Sequence, residues 1–520
     1  MYECPNCGGN LKFNISLQQL FCAYCESAFD PYSISKETDT VDGDCFETNV
    51  FRCPQCGGEM ISSDNDATSF CSYCGSANIL SERIGREKRP KHIIPFQITK
   101  EGCKKAYAAK LRKAFFVPKE LKDPAFIDGF RGIYMPYWSY RISQQGQVAL
   151  RGEKEKRSGD YVYTDHYALT GDLDAGYEGY SCDASAGFSD NISEALGPYD
   201  IREVREFTPT FLSGFYAETA DVDPEVYRED AEGLAADVTF DKVKDDPVFR
   251  KHGIQESGRR QKAAELCTCC KGEDSAMFPV WFMSYRNGDR IAYAAVNGQT
   301  GKVVTDLPVD GRRFFGSSMV LAVPLFFLLN LFLTLRPSAL LACSAGLAAA
   351  AAFLYYRELA KILSLETGQE DRGLMAKNPG RWKPKKEKRP SARRKGTLIM
   401  VLWFTLAIVA IQIVAAGGGT FLVWLTAVIV MAAVCVAGLR KYRKLEKLNG
   451  GLGFLYAAGA VLLGCVTGMW KPVSDLWYYG AALLILLTVI FILWDIIRNY
   501  NRLAMRRLPQ FDKKGGDDNA

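Results

Sequence analysis

The chain has 520 residues, of which 48% are hydrophobic, and 64 Lys and Arg stand against 59 Asp and Glu for a net charge of +5. That length and apolar content exclude a single small domain and a disordered chain. The charge is split: residues 1–310 carry 36 basic against 48 acidic side chains, a net of −12, and residues 311–520 carry 28 against 11, a net of +17.

The first eighty residues write one unit twice. Cys4-Pro5-Asn6-Cys7-Gly8-Gly9 is followed by Phe21-Cys22-Ala23-Tyr24-Cys25, and Cys53-Pro54-Gln55-Cys56-Gly57-Gly58 by Phe70-Cys71-Ser72-Tyr73-Cys74. Each cysteine of the second copy lies 49 positions after its counterpart. Two cysteines separated by two residues make a tight knuckle, and two knuckles complete the tetrahedral four-thiolate shell that Zn2+ prefers. The expected metal ligands are therefore Cys4, Cys7, Cys22 and Cys25 for one ion, and Cys53, Cys56, Cys71 and Cys74 for a second. A four-cysteine shell leaves no open position, so both ions are expected to be structural. Units of this size cannot build a core, and the metal supplies folding free energy on the order of 10–16 kcal/mol. Two disulfides per unit are the alternative. The zinc-ribbon spacing and a reducing compartment, argued below from topology, disfavour them.

A zinc ribbon first suggests nucleic acid, which needs a basic footprint. Residues 1–85 hold four basic side chains against twelve acidic ones. Each Zn2+ with four thiolates adds about two negative charges. The chain opens on polar, cysteine-bearing sequence, which is not the pattern of a secretory signal.

A basic stretch follows from Arg86 to Lys122. Thr99 is the expected N-cap of a helix running to about Phe116, with Cys103, Tyr107, Leu111 and Phe115 on one stripe. Residues 130–310 read as strands with one helical insert that starts after Asp223-Pro224. Met135-Pro136-Tyr137-Trp138 and Pro279-Val280-Trp281 are β-prone, and Asn287-Gly288 and Asn297-Gly298 are hairpin signals. The aromatics are expected in the core.

Other candidate chemistry is thin. Cys267, Cys269 and Cys270 form a third cluster that could join His252 on a metal, but the spacing is that of no ordinary zinc site. Gly298-Gln299-Thr300-Gly301-Lys302 lacks the first glycine of a phosphate loop and has Val303 where Ser or Thr would bind Mg2+, so it reads as a turn. The three histidines, His92, His166 and His252, are scattered, and an enzyme is not expected.

From Gly316 the sequence turns apolar, with six expected spans at 316–335, 337–356, 397–415, 419–438, 452–470 and 476–495. The connections at 357–396 and 439–450 and the tail from Arg498 carry thirteen, five and six Lys or Arg, whereas the intervening turns carry two in total. The positive-inside rule then puts both termini and the soluble half in the cytoplasm of a multi-pass cell-membrane protein. Ionisable side chains are nearly absent from the spans, and Asn330 and Gln412 are the notable polar ones, which argues against ion-coupled transport.

The expected organisation is multidomain: tandem Cys4 zinc ribbons over 1–85, a cytoplasmic α+β domain with an antiparallel sheet over 86–310, a C-terminal all-α six-helix transmembrane bundle over 311–500 with a basic loop at 357–396, and a cytoplasmic tail over 501–520.

The ribbon followed by Ile94-Pro95-Phe96, Met135-Pro136-Tyr137-Trp138, Pro279-Val280-Trp281 and Val296-Asn297-Gly298-Gln299-Thr300-Gly301-Lys302 resembles a family of zinc-ribbon membrane proteins of Gram-positive bacteria. Its members are often labelled TFIIB-type zinc ribbon proteins or likened to the primosomal replication-restart helicase. The resemblance covers roughly residues 1–310 and implies a membrane-bound partner of SPFH-domain or phage-shock-type envelope-stress proteins. Two features depart from the family: the ribbon is doubled, and six spans exceed the simpler members. The helicase label fails on the residues, which show no phosphate-binding loop and acidic ribbons.

The leading expectation is a non-enzymatic membrane protein whose cytoplasmic head is a protein-interaction platform in envelope stress or membrane organisation. A membrane-tethered nucleic-acid binder is the second reading, supported by local basicity at 86–122 and 357–396. A lipid or small-molecule transporter with a regulatory head is the third.

Overall fold

Asn10-Leu11-Lys12-Phe13-Asn14 alternates polar and apolar residues, and it folds as a strand with Leu11 and Phe13 buried and Lys12 exposed. In the computed structural model, β1 (Tyr2–Glu3), β2 (Asn10–Asn14), β3 (Gln19–Cys22) and β4 (Ala28–Phe29) make an antiparallel sheet in that order. The structure describes residues 2–34, 45–62, 71, 73–74, 81–159, 161–253, 267–288, 290–332, 336–366, 371–377, 431–432, 435–440 and 452–507. Asn14 Oδ1 accepts from the N–H groups of Ser16 and Leu17 at 2.9 and 3.1 Å, which turns β2 into β3. The sheet lies on the rest of the head. Phe13 meets Phe211 at 5.2 Å between ring centroids, and Ser213 Oγ donates to the Leu11 carbonyl at 2.5 Å.

The second unit is not a separate module. Its strands β5 (Cys45–Arg52), β6 (Glu59–Ser62) and β7 (Ser81–Lys88) belong to the main sheet, which has twelve strands among the described residues. The expected domain boundary at residue 85 falls inside β7. The reason lies in β6, where Met60, Ile61 and Ser62 are all buried. A strand apolar on both faces needs cover on both, which a two-knuckle unit cannot supply alone.

The remaining strands of that sheet are β8 (His92–Ile93), β9 (Arg131–Ser158), β10 (Tyr161–Asp183), β11 (Arg205–Glu206), β12 (Tyr216–Ala217), β13 (Cys267–Asn287), β14 (Arg290–Asn297), β15 (Val303–Thr305) and β16 (Arg506–Arg507). Pairing is antiparallel apart from β12 with β9 and β13 with β8. On β9, Ile133, Met135 and Tyr137 join one core and Tyr134 the other; on β13, Phe278, Val280 and Phe282 join the first, and Met277, Trp281 and Met283 the second. Both faces are thus covered, and the aromatic runs are core, as expected from their composition. The Asn287-Gly288 signal is the β13–β14 hairpin, with Gly288 at φ +65°.

Helix α1 (Lys100–Arg112) closes the second core with Cys103, Tyr107 and Leu111, and Thr99 Oγ1 caps it by accepting from Gly102 N–H at 3.2 Å. It stops short of the expected end at Phe116. Ala114 N–H closes a tighter turn onto Leu111 O, Pro118 follows, and Phe115 is 79% exposed. Helix α2 (Pro124–Ile127) leads into β9. Helix α3 (Asp190–Leu196) covers the other core with Ile192 and Leu196. The insert after Pro224 is α4 (Glu225–Asp245), continued by α5 (Pro247–Lys251). It packs Tyr227, Ala231 and Ala235 against Tyr140 and Ile142.

The C-terminal part contains α6 (Gly311–Phe332), α7 (Pro337–Glu366), α8 (Arg372–Lys377), α9 (Leu452–Trp470) and α10 (Asp475–Ala504). Among the described residues three stretches are long and apolar enough to cross a membrane: Gly311–Leu328, Pro337–Leu363 and Asp475–Asn501. Leu455–Trp470 is a shorter apolar helix. The expected span at 397–415, Gln412 included, lies outside the described residues, and 419–438 is described only at 431–432 and 435–438, so six spans are not established. Helices α7, α9 and α10 pack through small residues, among them Ala345, Ala348, Ala352, Ala457 and Ala460.

Three of these segments return to the head. Asn501 on α10 clasps Val309, donating to its carbonyl and accepting from its N–H, both at 2.7 Å. Just beyond, β16 pairs with β14 in the register Arg506↔Ile291 and Arg507↔Arg290. After α7, the N–H of Arg372 donates to Asp190 Oδ2 at 2.7 Å, and its guanidinium pairs with Asp230. At the foot of α6, Asp310 N–H donates to Phe116 O at 2.6 Å.

Candidate metal centres

Both four-cysteine groups come together as the spacing predicts. In each, the four sulfurs lie within 4.8 Å of one another. Cys4 and Cys25 Sγ are 3.5 Å apart and Cys7 and Cys22 are 3.4 Å apart; the second group gives 3.7 Å for Cys53 and Cys74 and 3.8 Å for Cys56 and Cys71. A tetrahedral ion with Zn–S bonds of about 2.3 Å sets its sulfurs about 3.8 Å apart, whereas a disulfide needs about 2.05 Å. All eight thiols are free of disulfides. The donor sets therefore fit a metal ion.

The knuckles explain the residues around the cysteines. Cys4 N–H donates to Gly9 O at 2.7 Å and Gly8 N–H returns to Cys4 O at 2.8 Å; the second unit repeats this with Cys53, Gly58 and Gly57 at 2.9 and 2.8 Å. Gly8 and Gly57 sit at φ +72° and +73°, the left-handed region that a glycine enters freely. Gly9 is held by space, because a Cβ there would meet Tyr24 Cδ2 at 2.7 Å and two ligand sulfurs at 3.2 and 3.3 Å. The knuckle of Cys22 follows the same pattern with Ser27 and Glu26.

Electrostatics separate the ligands. The Gly9 N–H works to lower the Cys7 thiol, but the crowding thiols of Cys25 and Cys22 outweigh it and push it up to about 12. The Ser27 side chain and N–H draw Cys25 down to about 6. The Cys56 thiol is raised by Cys71, Cys74 and burial; Cys56 works to lower the Cys71 thiol, but Cys74 and burial outweigh it and push it up to about 12. Four thiols cannot all ionise in one place without a cation, whose charge inverts that balance.

The centres differ in depth. Cys7 and Cys25 are exposed, whereas Cys53, Cys56, Cys71 and Cys74 are all buried. The second centre is tied to the sheet through Tyr73, whose carbonyl accepts from Tyr293 Oη at 2.9 Å and whose ring meets Phe282 at 6.5 Å.

The other candidates disperse. Cys269 and Cys270 lie on β13 opposite Ser143 and Ile142, while His252 at the end of α5 packs on Tyr167 at 4.5 Å. Among the described residues only the two four-cysteine groups gather three or more metal-ligating side chains. His92 stands 3.8 Å from Asp274, and His166 stands 3.2 Å from Glu153. Gly298–Lys302 is the β14–β15 turn: Asn297 Oδ1 accepts from Gln299 and Thr300 N–H, and Gln299 is buried against Asp200. Sequence reasoning missed a buried acidic group. Asp183 is 2% exposed, and burial, then the nearby Asp190, push its carboxyl well above the usual range. No spacing signals it, because its neighbours Asp190 and Ser193 come from α3 and Asp371 from just before α8.

No family model matches the chain, and no solved structure matches it. It is 32% identical over 320 residues to the uncharacterized protein YdjG of Bacillus subtilis (strain 168), an alignment that covers 59% of this chain and 90% of that protein. With that extent of likeness, the chain belongs to the family of YdjG.

Proposed function

We propose that this protein is a non-enzymatic, multi-pass membrane protein whose head, stapled by two structural zinc ions in tandem ribbons, is a platform for other proteins. The observation that carries the platform reading is the far part of the β9–β10 hairpin. Register runs unbroken from Tyr161↔Ser158 to Glu178↔Arg141, and among the described residues β13 pairs with β9 as far as Gln145. Farther out the end of α5 lies on the arm, with Gly253 O accepting from Glu153 N–H at 2.7 Å and His252 packing on Tyr167, while Tyr161, Val162 and Tyr163 at the tip are 72%, 58% and 58% exposed. An exposed tip of two tyrosines and a valine, held out at the end of a long hairpin, suits a protein surface.

Zinc is the metal that the four-thiolate sets favour. The foot of α6, the segment after α7 and the end of α10 all reach the head, and the basic stretches of the sequence adjoin those ends. This supports a cytoplasmic head and cytoplasmic termini. The resemblance to zinc-ribbon membrane proteins makes an SPFH-domain or phage-shock-type protein the expected partner.

The test is capture of the full-length protein from cells in mild detergent, comparing wild type with a Tyr161→Ser, Val162→Ser, Tyr163→Ser variant. A stoichiometric protein partner that the variant loses supports the platform. A salt-sensitive nucleic acid in its place, or a complex indifferent to the tip, overturns it.

A further inference from the structure

We propose that the head also holds a binding cavity for a small multivalent oxyanion, an organic phosphate or polycarboxylate, where the first cysteine unit, α1 and β9 meet. The cavity has a volume of about 320 Å³. Three cations line it, each from a different element: Lys12 from β2, Lys100 from the first turn of α1 and Arg131 from the start of β9. Phe215 and Trp281 supply an apolar wall, and no carboxylate is among the lining residues.

The site rests on two of these charges, Lys100 and Arg131. The nearby acids Glu101 and Asp128 are both engaged by Lys104, at 2.8 and 2.5 Å. Lys100 and Arg131 have no ion-pair partner among the described residues, and Arg131 Nε is a buried donor with no hydrogen-bond partner among them. A buried N–H without an acceptor is costly, and like charges converging on one space oppose folding. An oxyanion relieves both at once, accepting from the guanidinium and neutralising Lys100. Burial, then the charge of Arg131, hold the Lys100 ammonium below its usual range, as expected for a cation lacking its counter-charge.

Size and place narrow the ligand. The volume is at the lower end for small-molecule sites, larger than bare phosphate needs and too small for a polymer. Phe116, just past the far end of α1, is tied to Asp310 at the foot of α6. Lys100 is at the opposite end, about 18 Å away along a helix rising about 1.5 Å per residue. A freely diffusing anion therefore fits better than a headgroup fixed in a bilayer.

The experiment is calorimetric titration of the full-length protein in detergent, at physiological salt, with inorganic phosphate, pyrophosphate, glucose 6-phosphate and citrate. Saturable binding by at least one is expected, and preference between pyrophosphate and citrate separates phosphate from carboxylate chemistry. Arg131→Gln and Lys100→Gln should each weaken it roughly tenfold or more, because each removes a charged partner. Lys110→Gln, the same charge change on the exposed part of α1, should leave it within about twofold. Lys100→Gln carries the test alone should Arg131→Gln fail to fold. Absence of saturable binding by all four probes, or equal loss in Lys110→Gln, overturns the proposal.

Discussion

The backbone N–H of Arg372 donates to Asp190 Oδ2 at 2.7 Å, while the other oxygen of that carboxylate accepts from Tyr227 Oη at 2.7 Å. One buried side chain of α3 thereby joins α4 to a segment that follows an apolar helix. Asp190→Ala leaves both donors without their acceptor. It should destabilise the head by roughly 2–3 kcal/mol and free the segment after α7. Limited proteolysis of the purified protein checks this: cleavage near Arg372 should appear in the variant and not in wild type.

Asp183 sets a pH dependence. Its carboxyl is raised in the folded head by burial, then by Asp190, so its contribution to stability is fully present below the unfolded carboxylate range and is lost as pH rises through the folded value. Asp183→Asn should therefore raise the unfolding temperature at neutral pH, and the gain should vanish near pH 4, about where an unfolded aspartate takes up its proton. A gain that is equal at both pH values would contradict this reading.

The two centres should respond differently to loss of one ligand. Cys56 is buried in a unit whose strand β6 pairs with β12, and β12 with β9. Cys56→Ser should therefore unfold the head cooperatively, by several kcal/mol on the order expected for a structural zinc. Cys25 is exposed at the edge of the first sheet, so Cys25→Ser should loosen that sheet and leave most of the main sheet folded. Amide hydrogen exchange separates the two outcomes.

How much of this was legible in the sequence follows from the range of each interaction. The cysteine spacing, the Thr99 cap and the Asn287-Gly288 turn are local and could be read directly. The merging of the second unit with the main sheet could not, because it depends on β6 meeting Tyr216–Ala217, more than 150 positions away. Met60-Ile61 reads as half a hairpin, and only the fold shows that both faces need cover. The meetings of Asp190 with Arg372, and of Lys12, Lys100 and Arg131, are likewise products of topology. The Lys and Arg of 357–396 read only as an orientation signal and as local basicity, yet Arg372 among them is paired with Asp230.

The contacts of Asp310, Arg372 and Arg506 with the head bring three helix ends to it, and the proposed orientation, together with the positive-inside rule, predicts a labelling pattern. Cysteines placed at Ser338, Gly418 and Ser474 should react with an impermeant reagent on intact cells, above the native-cysteine background. One placed at Lys385 should react only after lysis. Reaction at Lys385 in intact cells would reverse the orientation.

The most direct test of the central claim, a head stapled by two closed four-thiolate zinc centres, is the metal content of the full-length protein purified under reducing conditions. Elemental analysis alongside thiol titration should find two zinc ions per chain, with the eight cysteines protected until a chelator removes the metal and unfolds the head. One ion or none in folded protein, or eight cysteines consumed as four disulfides, would contradict it.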